Sequence, residues 1–583
     1  MKRDQNSTLL DQTAVNGSKS KTTLDIIILR LNAMKLQGHA SVSAVVWPLS
    51  TRPRAAVAQG SRSLRGPWAP RGPEECGRHM GRTRRVTVAT TADIPQVVER
   101  PPPALDSPVE VSRASSFDWK DHWYPIAFTK DIGSAPYPFT LLEEPIVLWR
   151  DGAGEYQCLA DSCPHRLVPL SEGRVAPDGT LQCAYHGWQF RGDGACTLIP
   201  QGGDPASPRA CARSYACRAA QGLVWVMLRP AGDARAAAAL PPTLPELDEG
   251  GWLAFGDMWR DLPYDAVTLI ENVIDAGHVP FTHHATVSKR TSSGSFADLA
   301  VTERSEAGFR GLWPSGPRRG ALGPQATEWR GPNLMRHTIE AQETRGFSNI
   351  TAVYAVPIAP GRCRAIVRQP FKFKNRVIPA VMGLVPRFAT HLDALKILDD
   401  DVVFLHLQEE KVVKAGLATK PPGQVYHMPG ASDALVTAFR TWIQKKAGGG
   451  PFGAQDEGWL ARAGPRLGQT QLLDHWESHC SRCESCRTAE QRLKVVRGVA
   501  AALGALCGLA TLVVGGLACV GAIDGIVSTF SSTSLAAVAG VTGMFCAAMG
   551  LLVAWTTNVL GRFHLGRHPL PRNLVPGEWQ AAV

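Results

Sequence analysis

The chain has 583 residues, enough for two or three domains with separate cores, and its 44% of hydrophobic residues confines any membrane segment to a local stretch. Residues 1–90 hold fifteen Lys and Arg against five Asp and Glu, so +10 of the net +11 sits there. The nearly neutral remainder offers no basic face to a nucleic acid. Fourteen cysteines in so long a chain are not the disulfide frame of a small secreted domain.

In chain order, residues 1–93 read as an organelle transit peptide. No Asp or Glu lies between Ile26 and Pro73, while Arg52, Arg54, Arg62, Arg65 and Arg71 alternate with Ser, Ala and other small residues. Within it, Met34 and the residues after it read like a transit-peptide start, which makes residues 1–33 an upstream extension. Residues 94–116, with "ERPPPALDSP", form a Pro-rich linker. From 117 to 228, short apolar runs separated by Gly and Pro ("PIVLWRD", "YQCLA", "LQCAYHGWQF", "GLVWVML") predict a small antiparallel β domain.

Within it, Cys163-Pro-His165 is followed, after seventeen residues, by Cys183-Ala-Tyr-His186. Paired C-x-H and C-x-x-H loops supply two thiolates for one iron and two imidazoles for the other of a Rieske [2Fe–2S] cluster. Zinc fingers pair Cys with Cys and His with His, so a structural zinc site fits this order poorly. Tyr185 is placed to donate a hydrogen bond near a cluster sulfur.

Residues 229–475 read as an α+β catalytic domain. Strands are expected at "NITAVYAVPI" and "CRAIVRQPFKF", and helices at "YDAVTLIENVIDAGHV" and "HLDALKILDDDVVFLHLQEEKVV". The first helix carries Asn272, Asp275 and His278, with His283 and His284 five and six residues after His278. Two imidazoles and one distant carboxylate make the facial triad of a mononuclear non-haem Fe(II) site, and the carboxylate is sought among Asp399, Asp400 and Asp401. Asp275, one helical turn before His278, is expected to share its face and accept its second ring proton.

Residues 476–494 contain Cys480, Cys483 and Cys486 in "HCSRCESC". Cys483 and Cys486 form a C-x-x-C, readable as a redox-active dithiol or as half of a metal site. Two apolar runs, Gly498–Ile523 and Leu535–Trp555 within residues 495–560, are each long enough to cross a bilayer. The short Asp524–Ser534 connection makes them a hairpin. Lys494 and Arg497 before it, and Arg562 and Arg567 in the tail 561–583, place both outer ends on the cytoplasm-like side.

From about Phe117 to Arg487 the chain resembles the chloroplast Rieske oxygenases of the pheophorbide a oxygenase group. That group includes translocon-associated Rieske proteins and, more distantly, chlorophyllide a oxygenase. The resemblance rests on "FDWKDHWYP", "CPHRLVPLSEGR", "LQCAYHGWQF", "LIENVIDAGHVPFTHH" and "LDDDVVFLHLQEE". It implies a Rieske β domain, a helix-grip catalytic domain and a two-helix transmembrane hairpin. Cys163, His165, Cys183 and His186 become cluster ligands. His278, His283 and Asp401 become iron ligands, with Asp400 as the alternative third ligand and His284 behind them. Asp275 becomes an acid bridging to the cluster histidine of a neighbouring subunit, hence a homotrimer. The implied reaction takes electrons from reduced ferredoxin and O₂ to oxygenate a tetrapyrrole, pheophorbide a foremost, at a chloroplast membrane (inner envelope or thylakoid), facing the stroma. The rival readings are hydroxylation of another chlorophyll catabolite or precursor, and a redox-sensing subunit of an envelope import complex.

Overall fold

The computed structural model describes residues 117–284, 286–292, 295–317, 322–524 and 532–566. The transit segment, the linker up to residue 116, most of the expected hairpin turn and the tail beyond residue 566 lie outside them.

The first part is built of short strands: β1 Tyr124–Phe128, β2 Tyr137–Leu141, β3 Glu144–Arg150, β4 Tyr156–Ala160, β5 Arg174–Val175, β6 Leu181–Gln182, β7 Gln189–Phe190, β8 Cys196–Leu198, β9 Ala216–Ala220 and β10 Leu223–Met227. They form three antiparallel sheets, in the orders β1–β10–β9, β2–β3–β4 and β5–β6–β7–β8. Their aromatic and branched residues suit a pleated, packed surface, and β1 and β10 are buried along their whole length. The run "LQCAYHGWQF" is two strands rather than one. β6 and β7 flank a turn from Cys183 to Trp188, where Gly187 takes a left-handed φ of 73°.

A nine-stranded antiparallel sheet follows, made of β11 Trp252–Ala254, β12 Met258–Leu262, β13 Ala300–Ser305, β14 Gly308–Trp313, β15 Gln325–Arg330, β16 Leu334–Ala341, β17 Phe347–Ala359, β18 Arg362–Arg368 and β19 Pro370–Phe373. "CRAIVRQPFKF" divides at Gln369, and its two halves, β18 and β19, pair with different stretches of the long β17. The main helices are α1 Ala266–Ile274, α2 Val279–Thr282, α3 Arg387–Ala415, α4 Ala434–Lys446, α5 Glu484–Asp524 and α6 Ser532–His564. α1 and α3 pack on the sheet, giving an α+β fold of the helix-grip type.

Two helical expectations change. The helix expected over residues 264–279 ends at Ile274, with Asp275 as its C-cap. The Asp275 carboxylate accepts the Gly277 N–H at 2.7 Å, a local turn that competes with the helix. His278 then caps the short α2, whose first turn contains Pro280. Asp275 and His278 therefore do not share a helix face. The acidic run on α3, in contrast, is buried rather than solvated: Asp399, Asp400 and Asp401 are 1%, 7% and 4% exposed.

One hydrophobic core crosses from the small sheets into the large one, joining Trp225 and Ile126 with Tyr354 and Ile366. Arg364 on β18 is fully buried there. It donates to both Asp261 oxygens at 2.6 and 3.0 Å, to the Ile126 carbonyl at 2.8 Å and to Tyr137 Oη at 2.9 Å. Four of the five guanidinium N–H donors are thus used, two of them on the small-sheet side of the junction.

Helices α5 and α6 are long and apolar enough to cross a membrane, with peak mean hydropathies of 2.2 and 2.0 and no burial of those windows within the protein. They pack antiparallel, Gly504 against Met549 and Gly508 against Cys546, with Thr511 donating to Thr542 at 2.8 Å. Small residues at these crossings let the backbones approach.

Candidate metal centres

The first centre is built by two loops of like geometry. After β4, the Cys163 N–H donates to the Val168 carbonyl and the Leu167 N–H to the Cys163 carbonyl, with Leu167 left-handed at φ 60°. After β6, the Cys183 N–H donates to the Trp188 carbonyl and the Gly187 N–H to the Cys183 carbonyl. Each turn thus buries its Cys and turns the following His beside it. Cys163 and Cys183 are 1% and 2% exposed. The His165 and His186 rings lie 4.6 Å apart, and Trp188 stacks on His165 at 4.8 Å and 7°.

Burial, helped by the adjacent Cys183 thiol, raises the Cys163 thiol to about 11, so a neighbouring cation is needed to hold it as thiolate. His165 Nδ1 is buried with no hydrogen-bond partner among the described residues, as expected of an atom whose partner is iron. The donor set fits a two-thiolate, two-imidazole cluster. Tyr185 is 57% exposed, and its ring lies 4.1 Å from that of His186.

The second centre gathers His278, His283 and Asp401, whose ligating atoms all lie within 4.8 Å of one another. His278 Nδ1 is held by the Asp275 backbone carbonyl at 2.5 Å, while the Asp275 carboxylate stands 3.7 Å off. The backbone, not the side chain, therefore sets the ring and leaves Nε2 free to bind. His283 is fixed from the other side: Asp400 faces Nδ1 at 3.3 Å and Asp401 faces Nε2 at 3.3 Å. Thr286 donates to Asp400 at 2.6 Å.

The three adjacent acids thus separate by partner. Asp399 is engaged by Arg260 at 2.9 Å and His475 at 3.0 Å, Asp400 orients His283, and Asp401 faces the centre. Burial raises the Asp401 carboxyl. The His283 and His278 imidazoles pull it back, Asp400 adds to the rise, and the Asn272 amide lowers it. Burial also pulls His278 down, but the Asp275 and Asp401 carboxylates outweigh it and leave the ring above its ordinary value. Asp401 Oδ1 is buried without a hydrogen-bond partner among the described residues, so the site carries an unsatisfied anionic oxygen that a metal ion would satisfy. His284 points elsewhere, accepting the Arg290 N–H at 3.1 Å.

Sequence reasoning missed the support around both centres. Trp188 on His165 had a signal in "YHGWQF", whereas Thr286, Arg260 and His475 reach their acids from distant segments and had none.

Comparison with known proteins gives the family. A family model described as Rieske [2Fe-2S] domain matches residues 122–212, and one described as Pheophorbide a oxygenase matches residues 329–418. Pheophorbide a oxygenase, chloroplastic, of Oryza sativa subsp. japonica is 32% identical over 443 residues, 71% of this chain and 81% of that protein. The chain belongs to the pheophorbide a oxygenase family of Rieske oxygenases. Protein TIC 55, chloroplastic, of Arabidopsis thaliana is 34% identical over 63% of this chain and 68% of its own length. Flavonoid 8-hydroxylase 2, chloroplastic, of Ocimum basilicum is 30% identical over 72% and 82%. Among solved structures, dicamba monooxygenase bound to dicamba aligns with a TM-score of 0.46 at 20% identity, covering 56% of this chain and 97% of that one.

As a pheophorbide a oxygenase family member, the chain is a Rieske non-haem iron monooxygenase, using a [2Fe–2S] cluster and a mononuclear iron. Its chemistry requires a small-molecule substrate, O₂ and an electron donor. Its relatives are chloroplastic proteins, and two of its own helices are long and apolar enough to span a membrane.

Proposed function

We propose that this chain oxygenates a chlorophyll-derived tetrapyrrole, pheophorbide a foremost, as the family's ring-opening enzyme of chlorophyll breakdown. The observation that carries the reading is the His278, His283 and Asp401 triad on the chain that also bears the Cys163/His165 and Cys183/His186 loops. Support for the substrate comes from the rice pheophorbide a oxygenase, 81% of whose length is matched.

In this reading Cys163, His165, Cys183 and His186 hold the cluster, and His278, His283 and Asp401 hold the iron. The cluster supplies single electrons and the iron activates O₂. The chain's own residues do the rest. The Asp275 carbonyl and Asp400 fix the tautomers of His278 and His283, Asn272 steadies Asp401, and the buried walls of α1 and α3 keep water from the carboxylates. The division at about residue 228 then separates an electron-entry part (117–228) from a catalytic part (229–475).

The assembly in this reading is a homotrimeric ring, in which each cluster passes its electron to the iron of a neighbour. The cluster tip exposes Leu167 (75%) and Tyr185 (57%), and the iron site exposes Phe281 (52%), two apolar faces that a head-to-tail neighbour would cover. The partly exposed Asp275 carboxylate then bridges to a cluster histidine of the neighbour. Reduced ferredoxin is the donor, and the catalytic part and tail share the stromal face of an envelope or thylakoid membrane, supported by Arg562 and Lys494 at the hairpin's outer ends.

Flavonoid 8-hydroxylase 2, matched over 82% of its length, favours hydroxylation of a smaller ring system as a second reading. A redox-sensing import subunit, suggested by Protein TIC 55, leaves the triad without a use. The test is turnover of the purified full chain with reduced ferredoxin and O₂ on pheophorbide a, chlorophyllide a, protochlorophyllide and a flavone, read by mass spectrometry. An oxygenated, ring-opened product from pheophorbide a alone supports the proposal. Turnover of the flavone alone overturns it.

A further inference from the structure

A second group of metal-ligating side chains lies outside both centres. His391 of α3, His479 of the π-helical turn Trp476–Cys480, Cys483 just before α5 and Cys486 in its first turn bring their ligating atoms within 4.8 Å of one another, and all four are buried. Only the Cys483/Cys486 pair shows in the sequence. His479 precedes these cysteines by four and seven residues, a helical spacing, whereas His391 comes from 92 residues upstream of Cys483.

The distances discriminate between proton sharing and metal binding. His391 Nδ1 lies 3.1 Å from His479 Nε2, 3.4 Å from Cys483 Sγ and 3.5 Å from Cys486 Sγ, and Cys486 Sγ lies 3.5 Å from His479 Nε2. A single ring nitrogen either donates one proton or accepts one, and cannot satisfy three convergent heteroatoms. With Zn–N near 2.05 Å and Zn–S near 2.3 Å, a tetrahedron has N···N edges of about 3.4 Å and N···S edges of about 3.6 Å. The observed edges lie within a few tenths of an ångström of these.

A further observation points the same way. Cys483 and Cys486 are 0% exposed and unpaired, whereas exchange-active thiols sit in partly exposed surroundings. A divalent ion with two thiolates and two neutral imidazoles is a net-neutral centre, which suits four fully buried side chains.

We propose that His391, His479, Cys483 and Cys486 hold a structural zinc ion, a third metal site distinct from the cluster and the iron. All four positions are filled by protein, leaving none for substrate, so its work is mechanical. It clamps the base of the membrane hairpin to α3, the helix that carries Asp401 ten residues, or about 15 Å, further along. The other end of the hairpin meets the same helix, through Arg562 on Asp393 at 2.9 Å. Cys480, also buried, stands outside the four-donor group.

The experiment uses the full chain purified in detergent, with metals counted by mass spectrometry and the cluster followed by EPR. The wild type is expected to carry one zinc per chain beside its iron. Cys483→Ser and Cys486→Ser are each expected to lose at least nine-tenths of the zinc while the EPR signal persists, and Cys480→Ser to keep it. Should these variants fail to fold, the native protein still answers. Mercurial titration of its thiols should release one zinc per chain, and cobalt-grown protein should show thiolate-to-cobalt charge transfer with tetrahedral bands. Wild-type protein without stoichiometric zinc, or with Cys483 and Cys486 recovered as a disulfide, overturns the proposal, as does zinc retained in both serine variants.

Discussion

Asp399, Asp400 and Asp401 are neighbours on one helix, yet the structure gives each a different task, so three isosteric substitutions should yield three phenotypes. Asp401→Asn removes the carboxylate facing His283 Nε2 and leaves Oδ1 no charge to offer a metal. Iron per chain should fall by the one mononuclear ion while the Rieske EPR signal stays. Asp400→Asn keeps the size, and its amide oxygen can take the place of Oδ2, which accepts both His283 Nδ1–H and Thr286 Oγ1–H, but without the negative charge. Turning two hydrogen bonds from a charged to a neutral acceptor costs about 1.5–3 kcal/mol together. At about 1.4 kcal/mol per decade, that weakens iron binding roughly 10- to 100-fold. Asp399→Asn leaves the 1%-exposed Arg260 without its counter-charge and should cost about 3–5 kcal/mol of stability, with iron retained in the folded fraction. The assay is iron content against a chelator series, EPR of the reduced cluster and thermal unfolding, on all three variants. Iron retained by Asp401→Asn but lost by Asp400→Asn would reverse the ligand assignment. Equal effects from all three would show that the run acts only through its summed charge.

Glu409 accepts from the Asp265 N–H and Thr268, and burial, with the Asp265 carboxylate adding, raises it to about 8. The folded protein therefore keeps a proton that the unfolded chain has released. Stability should fall as pH rises from about 4.5 to about 8, by at most about 1.4 kcal/mol per pH unit, and Glu409→Gln should flatten the slope in unfolding midpoints taken across that range. Because the backbone carbonyl already holds His278, Asp275→Asn should keep the cluster spectrum and most of the iron while turnover drops about 100-fold or more. Near wild-type turnover would leave Asp275 only its turn-forming role. In the hairpin, a side chain at Gly504 meets Met549 at 3.2 Å, so Gly504→Leu should abolish a disulfide engineered by Thr511→Cys with Thr542→Cys, which forms when the helices pack as seen.

The cluster loops were legible because all four donors lie within 24 residues in a spacing that few other chemistries use. The two histidines of the second centre, five residues apart, were legible for the same reason. Their carboxylate was not, because Asp400 and Asp401 differ by about 100° of helix rotation, and what turns one toward His283 Nδ1 and the other toward Nε2 is tertiary packing. The break at Asp275 escaped the helical periodicity since an Asx turn onto Gly277 depends on one side-chain hydrogen bond. The continuous core around Arg364 was equally hidden: its partners Asp261, Ile126 and Tyr137 lie more than a hundred residues away, so sequence suggests two separate cores where the chain builds one junction.

The central claim, that the cluster loops and the triad serve one oxygenation, is tested most directly by product formation under ¹⁸O₂. Purified wild type, Cys183→Ser and His278→Ala would each be given pheophorbide a and reduced ferredoxin. The wild type should place one ¹⁸O atom in each product molecule, and both variants should form none. Labelled product from His278→Ala, or wild-type product whose new oxygen is unlabelled, would contradict it.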